Sequence, residues 1–419
     1  MFEEVKANIT NPEVLEKLYR TDSKAFKAAF DKIYPEIGSS EPAKYWKIRL
    51  EYDIRSEPIK TFAMKEIMSV IAIGLIVALL IKIPGLFRLG YNEESFYMKN
   101  TALIVFFGLI IYTIRINKIY DPGKMLITSI SFLVTAVYVN LLPWGKTGDS
   151  VNLVYIHLPI MMWFIYGIVY TGFDHKSLNK RISFIRHNGD LAIFYALIAI
   201  AGGILSGITI GLFEAIGLKI AEFYSKNIIL TGAVAAPVVA AYLIEKFPAL
   251  VNKTAPVIAG IFSPLVLLTL TVFLITFFIT GKDPYNDREF LLIFNLMLLG
   301  VMGIIIFSVS ETSVIQNQKF NAAILFVLSI ITIIIDLIAL SAIFYRLGEY
   351  GITPNRLAVL VSNILVLINL VLIMVVLFRV NFKKKEFNLV EKTLSRFLPV
   401  YLVWILIVVF TFPLIFGMK

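Results

Sequence analysis

The sequence has no cysteine and only three histidines, His157, His175 and His187. The first absence excludes disulfides, thiol nucleophiles, thiolate zinc sites and cysteine-ligated iron–sulfur clusters. The second leaves little for a histidine-rich metal centre. Charge is scarce too: 16% of the 419 residues are Asp, Glu, Lys or Arg, against about 25% in a soluble domain. No Gly-x-x-x-x-Gly-Lys-Ser/Thr loop occurs, which disfavours nucleotide-driven work by this chain alone. What is abundant is apolar: 58% of residues are hydrophobic and the mean hydropathy is +0.82. No soluble fold of this size hides so much apolar surface in one core. The chain belongs in a bilayer.

Residues 1–64 are polar, without the early apolar core of a cleavable signal peptide, and read as a small helical cytosolic domain. Asn11-Pro12-Glu13 is a helix start, with Asn capping, Pro in the first helical position and an acid at the positive end of the dipole. Leu15, Leu18 and Tyr19 form one face of that helix. A second start at Asp22-Ser23 leads to Phe26, Phe30 and Ile33, and a third at Glu41-Pro42 to Tyr45, Trp46, Ile48 and Tyr52. These side chains either pack the domain on itself or on the membrane domain, or dock a protein partner.

From residue 65 to 419 apolar stretches recur at close to the roughly 20 residues that span a hydrocarbon core. They fall at about 66–87, 97–114, 125–143, 150–171, 190–212, 227–244, 255–280, 289–310, 320–344, 355–378 and 397–416. The fold class is therefore all-α, a polytopic bundle of about eleven spans. The short second span, between Lys99 and Arg115, and the Ala-rich sixth leave the count between ten and twelve. With the amino terminus cytoplasmic, the inward segments hold most of the 39 Lys and Arg. The inward loops still lead when the amino-terminal region is set aside, so the carboxyl terminus is expected outside. The net charge of +10 then reads as an orientation and anionic-lipid signal. The basic residues are split among short loops, which disfavours a nucleic-acid partner.

Close helix packing in lipid needs small residues. The fifth span supplies Gly203-x-x-x-Gly207-x-x-x-Gly211, with Gly202 and Ser206; the sixth has Gly232, Ala236 and Ala240 with Pro237. The seventh carries Ala259, Gly260, Ser263 and Pro264, and the eighth Gly300 and Gly303. Spans five to eight are thus the expected packed centre. Either this is plain packing, or Pro237 and Pro264 interrupt their helices and free backbone groups to line a cavity.

Ionisable groups at membrane depth are costly and default to functional candidates. Asp336 is the clearest, inside an unbroken apolar run, with Thr332 one turn earlier as a hydrogen-bond candidate. It serves a proton or ion relay or a structural hydrogen bond. His157 is an interior bonded residue or a proton carrier. Asn295, Asn363 and Asn369 either join helices or line a polar path. Glu214 and Glu311, at span ends, are expected to reach the headgroups. The connection between spans nine and ten crowds Arg346, Glu349, Tyr350 and Arg356 around Gly351 and a Thr353-Pro354 helix start. On the outward threading it shares a face with Asp283, Asp287 and Arg288. A salt-bridged cap and a site for an anionic or zwitterionic ligand are both open here.

At this connection the chain resembles a bacterial membrane family of unassigned activity, the domain of unknown function 4153. The resemblance rests on Arg346-x-x-Glu349-Tyr350-Gly351-x-Thr353-x-x-Arg356, on Asn188-Gly189-Asp190 before the glycine-rich span, and on Ala255-Pro256 through Ile261-Phe262-Ser263-Pro264-Leu265. The Asp283-Pro284…Asp287-Arg288 loop adds to it. It covers most of the chain and implies an all-helical inner-membrane protein, with no substrate, cofactor or catalytic residue to carry over. Three functions stay open: a permease for a small or anionic solute with Asp336 as coupling group, a membrane subunit that docks a partner through residues 1–64, and a lipid-acting enzyme using Asp283, Asp287 or Glu349. Self-association is a further expectation. No cofactor is implied.

Overall fold

A backbone in hydrocarbon has no water to bond, so each apolar run must satisfy its own amides, and helix is the local solution. The computed structural model describes residues 2–21, 23–38, 40–55, 64–87, 93–144, 148–174, 176–215, 218–281, 285, 288–312 and 318–418. Among them there are helices and turns and no strand. The chain divides into two compact units, Met1–Ile67 and Met68–Lys419.

The first unit holds α1 (Phe2–Ala7), α2 (Pro12–Thr21), α3 (Ser23–Ile37) and α4 (Glu41–Arg55). Asn11 Oδ1 accepts from the Val14 amide at 3.4 Å, as the helix start requires. Leu15, Phe26, Phe30 and Ile33 are fully buried, with Trp46 and Leu50 closing the core. Arg49 lies over the Trp46 ring, 4.9 Å from its centroid, while pairing with Glu16 at 2.8 Å. The aromatics therefore pack this unit on itself. Tyr45 and Ile48 stay exposed, and the side chain of Tyr52 lies outside the described residues.

Among the described residues, eleven helices are long and apolar enough to cross a bilayer. They are α5 (Met64–Ile81), α6 (Glu93–Ile116), α7 (Pro122–Leu141), α8 (Asp149–Tyr170), α9 (Leu178–Ala215) and α10 (Ala221–Lys246). There follow α11 (Pro248–Thr280), α12 (Arg288–Thr312), α13 (Gln318–Tyr350), α14 (Pro354–Lys383) and α15 (Asn388–Ile415). Their order and number follow the apolar runs of the sequence. Asp121 caps α7 by accepting from the Lys124 amide at 2.9 Å, and Thr353 caps α14 after the left-handed turn at Gly351. Lys99 does not end its span: it is buried inside α6 and donates to the Leu142 carbonyl at 2.6 Å, closing the end of α7.

The small residues pointed to part of the packed centre: Ala236, Ala240, Ala259 and Ser263 are buried, whereas Gly203 and Gly207 of the fifth span are not. One apolar core joins Leu298, Ile305 and Val309 of α12 to Leu325, Leu328 and Ile335 of α13, Leu370 and Ile373 of α14, and Val390 and Leu394 of α15. A second gathers α6, α7 and α8 around Leu158, Met161 and Met162, and α15 reaches it through Ile405 and Val409. The glycine-rich part of α9, from Leu191 to Ile210, has no buried residue. A methyl group at Gly203 or Gly207 would meet nothing within 4 Å, so among the described residues these glycines seat no other helix; Gly211 lies further along the same helix. The close approach is elsewhere: a β-carbon on Gly108 of α6 would fall 2.8 Å from Val77 of α5 and 2.9 Å from Val238 of α10. Nor do Pro237 and Pro264 break their helices, since α10 and α11 run through them. Membrane helices absorb a proline by local adjustment against their neighbours.

Candidate functional site

The fifth helix begins twelve residues before its expected apolar start at 190, and that shift builds a site. Arg186-His187-Asn188-Gly189-Asp190 becomes helical, with Arg186 and Asp190 one turn apart on one face. Gly189 lets α9 close on α12, because a β-carbon there would sit 2.3 Å from the Phe307 ring. Arg186 is thereby set against the end of α12. Its Nε donates to Glu311 Oε1 and to the Ser310 carbonyl, each at 3.2 Å; Nη2 also donates to the Ser310 carbonyl and lies 3.8 Å from Glu391 of α15. Arg181 donates to the Ser395 carbonyl and Ser395 to the Leu178 carbonyl, both at 3.0 Å, fastening α9 to α15.

Among the described residues the acids gathered here outnumber the Arg186 guanidinium. Glu311 is 2% exposed and Asp190 is 6% exposed. Together with the half-buried Glu391 they set three carboxylates against one guanidinium. Asp190 Oδ1 has no hydrogen-bond partner, though the residue lies within electrostatic reach of Arg186 and Glu311. Glu311 therefore does not reach the headgroups, as its place at a span end suggested; Arg186 holds it inside. Beside this cluster His187 Nε2 meets the Tyr166 hydroxyl at 2.8 Å and its ring stacks on Tyr170 at 4.7 Å. Trp163 donates to Asn188 Oδ1 at 2.9 Å.

Asp336 is a second buried acid. It lies at the middle of α13, about 27 Å along the helix from Gln318 at 1.5 Å per residue. It has no exposed surface, and neither carboxylate oxygen has a hydrogen-bond partner. The Thr332 hydroxyl, the expected local partner, donates instead to its own Leu328 carbonyl at 2.7 Å. Nearby, Asn369 of α14 donates to the Tyr401 hydroxyl of α15 at 3.0 Å, and Asp336 acts electrostatically on that tyrosine. Asn369 Oδ1 is left without a partner.

The other expected polar residues are structural in their contacts. Asn363 Nδ2 donates to Asn295 Oδ1 at 2.7 Å, clasping α14 to α12. His157 Nδ1 meets the Leu153 carbonyl of its own helix at 2.8 Å, so that nitrogen carries the proton. At the α13–α14 connection Arg356 donates to the carbonyls of Tyr350 and Gly351, both at 2.7 Å, and its guanidinium lies 5.5 Å from the Tyr350 ring centroid. Arg346 lies 5.9 Å from the same centroid. Among the described residues neither arginine nor Glu349 forms an ion pair. Among the described residues, carbonyl capping and cation–π contact hold the turn. Tyr285 packs edge-on against Tyr345 at 5.4 Å, near this end of α13. Asp283, Asp287 and the Arg288 side chain lie outside the described residues. No three Asp, Glu or His among the described residues are placed to share a metal ion.

The fold and its interior charges define an all-helical polytopic membrane protein with ionisable groups inside the bundle. Compared with family models, curated proteins and solved structures, the chain matches none.

Proposed function

We propose that the protein is a proton-coupled permease of a bacterial inner membrane, moving a small or anionic solute. The observation that supports this reading is the surplus of carboxylates inside spanning helices. Asp336 at mid-depth and Asp190 near the start of α9 both carry oxygens without partners, and Glu311 and Glu391 compete for Arg186. An unpartnered carboxylate at that depth either binds a proton or opens to water. Alternation between those two conditions ties proton movement to the conformation of α13 and its neighbours. The bias of basic residues among the loops supports a threading with the Arg186 end of the bundle at the cytoplasm and the α13–α14 turn outside. The resemblance in that turn to the domain of unknown function 4153 supports a bacterial inner-membrane setting.

The test is uptake into proteoliposomes that enclose a pH-sensitive dye, with pooled carboxylates and phosphates supplied outside under an acid-outside gradient. Accumulation of one solute with matched proton entry, abolished by Asp336→Asn, is the expected result. Proton-linked uptake by Asp336→Asn at the wild-type rate would remove Asp336 from the mechanism. A second reading, a membrane subunit that docks a soluble partner, is supported by Tyr45 and Ile48 on α4, which are 69% and 58% exposed. Deleting residues 1–64 separates the two: a permease keeps its flux, whereas a subunit loses its complex.

A further inference from the structure

A cleft of about 440 Å³ opens where the ends of α6 and α8 meet the starts of α7 and α9. Its walls carry three lysines from three different elements: Lys118 after α6, Lys124 in the first turn of α7, and Lys180 in the first turn of α9. One acid, Asp121, lines the same space, and its carboxylate is engaged with the Lys124 amide. Lys124 Nζ donates to the Gly172 carbonyl at 3.2 Å, which leaves two of its three donors free. Lys180 pairs with Asp174 at 3.1 Å. Lys118 is exposed and its ammonium has no partner among the described residues. The Ser183 hydroxyl adds a neutral donor to the wall. The cleft thus offers several unfilled donors and more positive than negative charge, within a volume typical of small-ligand sites.

We propose that this cleft binds a phosphate-type anion, presented either by an anionic lipid headgroup or by a soluble phosphate. Lysines on separate walls of the cleft suit a group whose oxygens point in several directions, where one planar carboxylate would engage fewer of them. The cleft lies at an end of the bundle, and basic pockets between spanning helices on the cytoplasmic side are where phosphate headgroups bind. Tyr170 lines the cleft and stacks on His187 at 4.7 Å. An occupant there therefore bears on the residue beside Arg186. The proposal does not depend on the permease reading.

The experiment uses the full-length protein in nanodiscs of phosphatidylcholine, alone or doped with phosphatidylglycerol. Retained phosphatidylglycerol is counted by native mass spectrometry, and inorganic phosphate is titrated calorimetrically into the undoped discs. A lysine near a membrane surface contributes about 1 kcal/mol to anion attraction, or about fivefold in affinity. Lys118→Gln and Lys124→Gln should each weaken binding about fivefold, and Lys118→Arg should retain it. Lys176→Gln, which removes an exposed lysine that does not line the cleft, should leave binding unchanged. A loss confined to phosphatidylglycerol identifies the headgroup as the source, and one confined to the titration identifies soluble phosphate. No binding of either probe, or an equal loss in Lys176→Gln, would overturn the proposal. Lys118 is exposed, so its substitutions report on binding rather than folding.

Discussion

Replacing Arg186 with glutamine is the most informative single change. The side chain removed is 31% exposed, but the carboxylate it serves on Glu311 is 2% exposed. Two more hydrogen bonds, both to the Ser310 carbonyl, go with it. Breaking one side of a buried pair costs about 3–5 kcal/mol, because a charge is left inside without compensation. The partial exposure of Arg186 lets water in, which argues for the lower end, about 3 kcal/mol. At 1.4 kcal/mol per factor of ten that is more than a hundredfold in the folding equilibrium. Graded unfolding in mixed detergent micelles, followed by tryptophan fluorescence, measures it; Trp163 already reports from the site through its bond to Asn188. The companion Glu311→Gln and the double variant complete a cycle. The double variant should recover at least about 1 kcal/mol relative to the sum of the singles, since no buried charge then remains at the pair. A single variant within about 0.5 kcal/mol of wild type, inside the range of an ordinary surface change, would refute the argument. Strict additivity would do the same.

Asp336→Asn should leave stability unchanged or raised, because the carboxylate removed has no bond to lose; a loss above about 1 kcal/mol in the same unfolding assay would show that it is bonded. Asn363→Ala strands Asn295 Oδ1 and should cost about 0.6–1.7 kcal/mol, the span measured for hydrogen bonds between membrane helices, with Asn295→Ala adding little more in the double variant. In the amino-terminal unit Phe30→Ala should cost about 3–5 kcal/mol. That loss is read as faster cleavage within residues 1–67 when the full-length protein meets a protease, and an unchanged rate would count against the core described. Gly108→Ala should be destabilising by about 1–3 kcal/mol through overpacking, whereas Gly203→Ala, with open space around it, should be neutral.

The spanning helices were legible because lipid imposes one requirement, about 20 apolar residues, and the sequence meets it repeatedly. The α14 start was legible for a local reason: Gly351, Thr353 and Pro354 encode their own backbone geometry. Which helices touch was not. Gly203 and Gly207 have the spacing of a packing face, yet spacing says only that a close approach is allowed, and Gly108 shows that a single glycine suffices when two valines meet it. The site at Arg186 is not legible from apolar runs, because its residues are polar and lie between or at the edges of those runs. The signal was present in two places, a run of five non-aliphatic residues from Arg186 to Asp190 and the acid-bearing end of α12 at Ser310-Glu311. Neither discloses the other, since 125 residues separate Arg186 from Glu311. The Asn295–Asn363 pair is a similar case, with each residue suspected alone and their meeting visible only in three dimensions.

That separation has a consequence for biosynthesis. Chains emerge at about 5–20 residues per second, so Arg186 enters the membrane region roughly 6–25 s before Glu311 is made. Glu391 follows still later. During that interval the guanidinium has neither of these carboxylates. The long, partly exposed arginine side chain can reach toward the interfacial water meanwhile, and the pair closes only once α12 is made. The clasp between α9 and α12 is therefore a late step in assembling a helix that is made early.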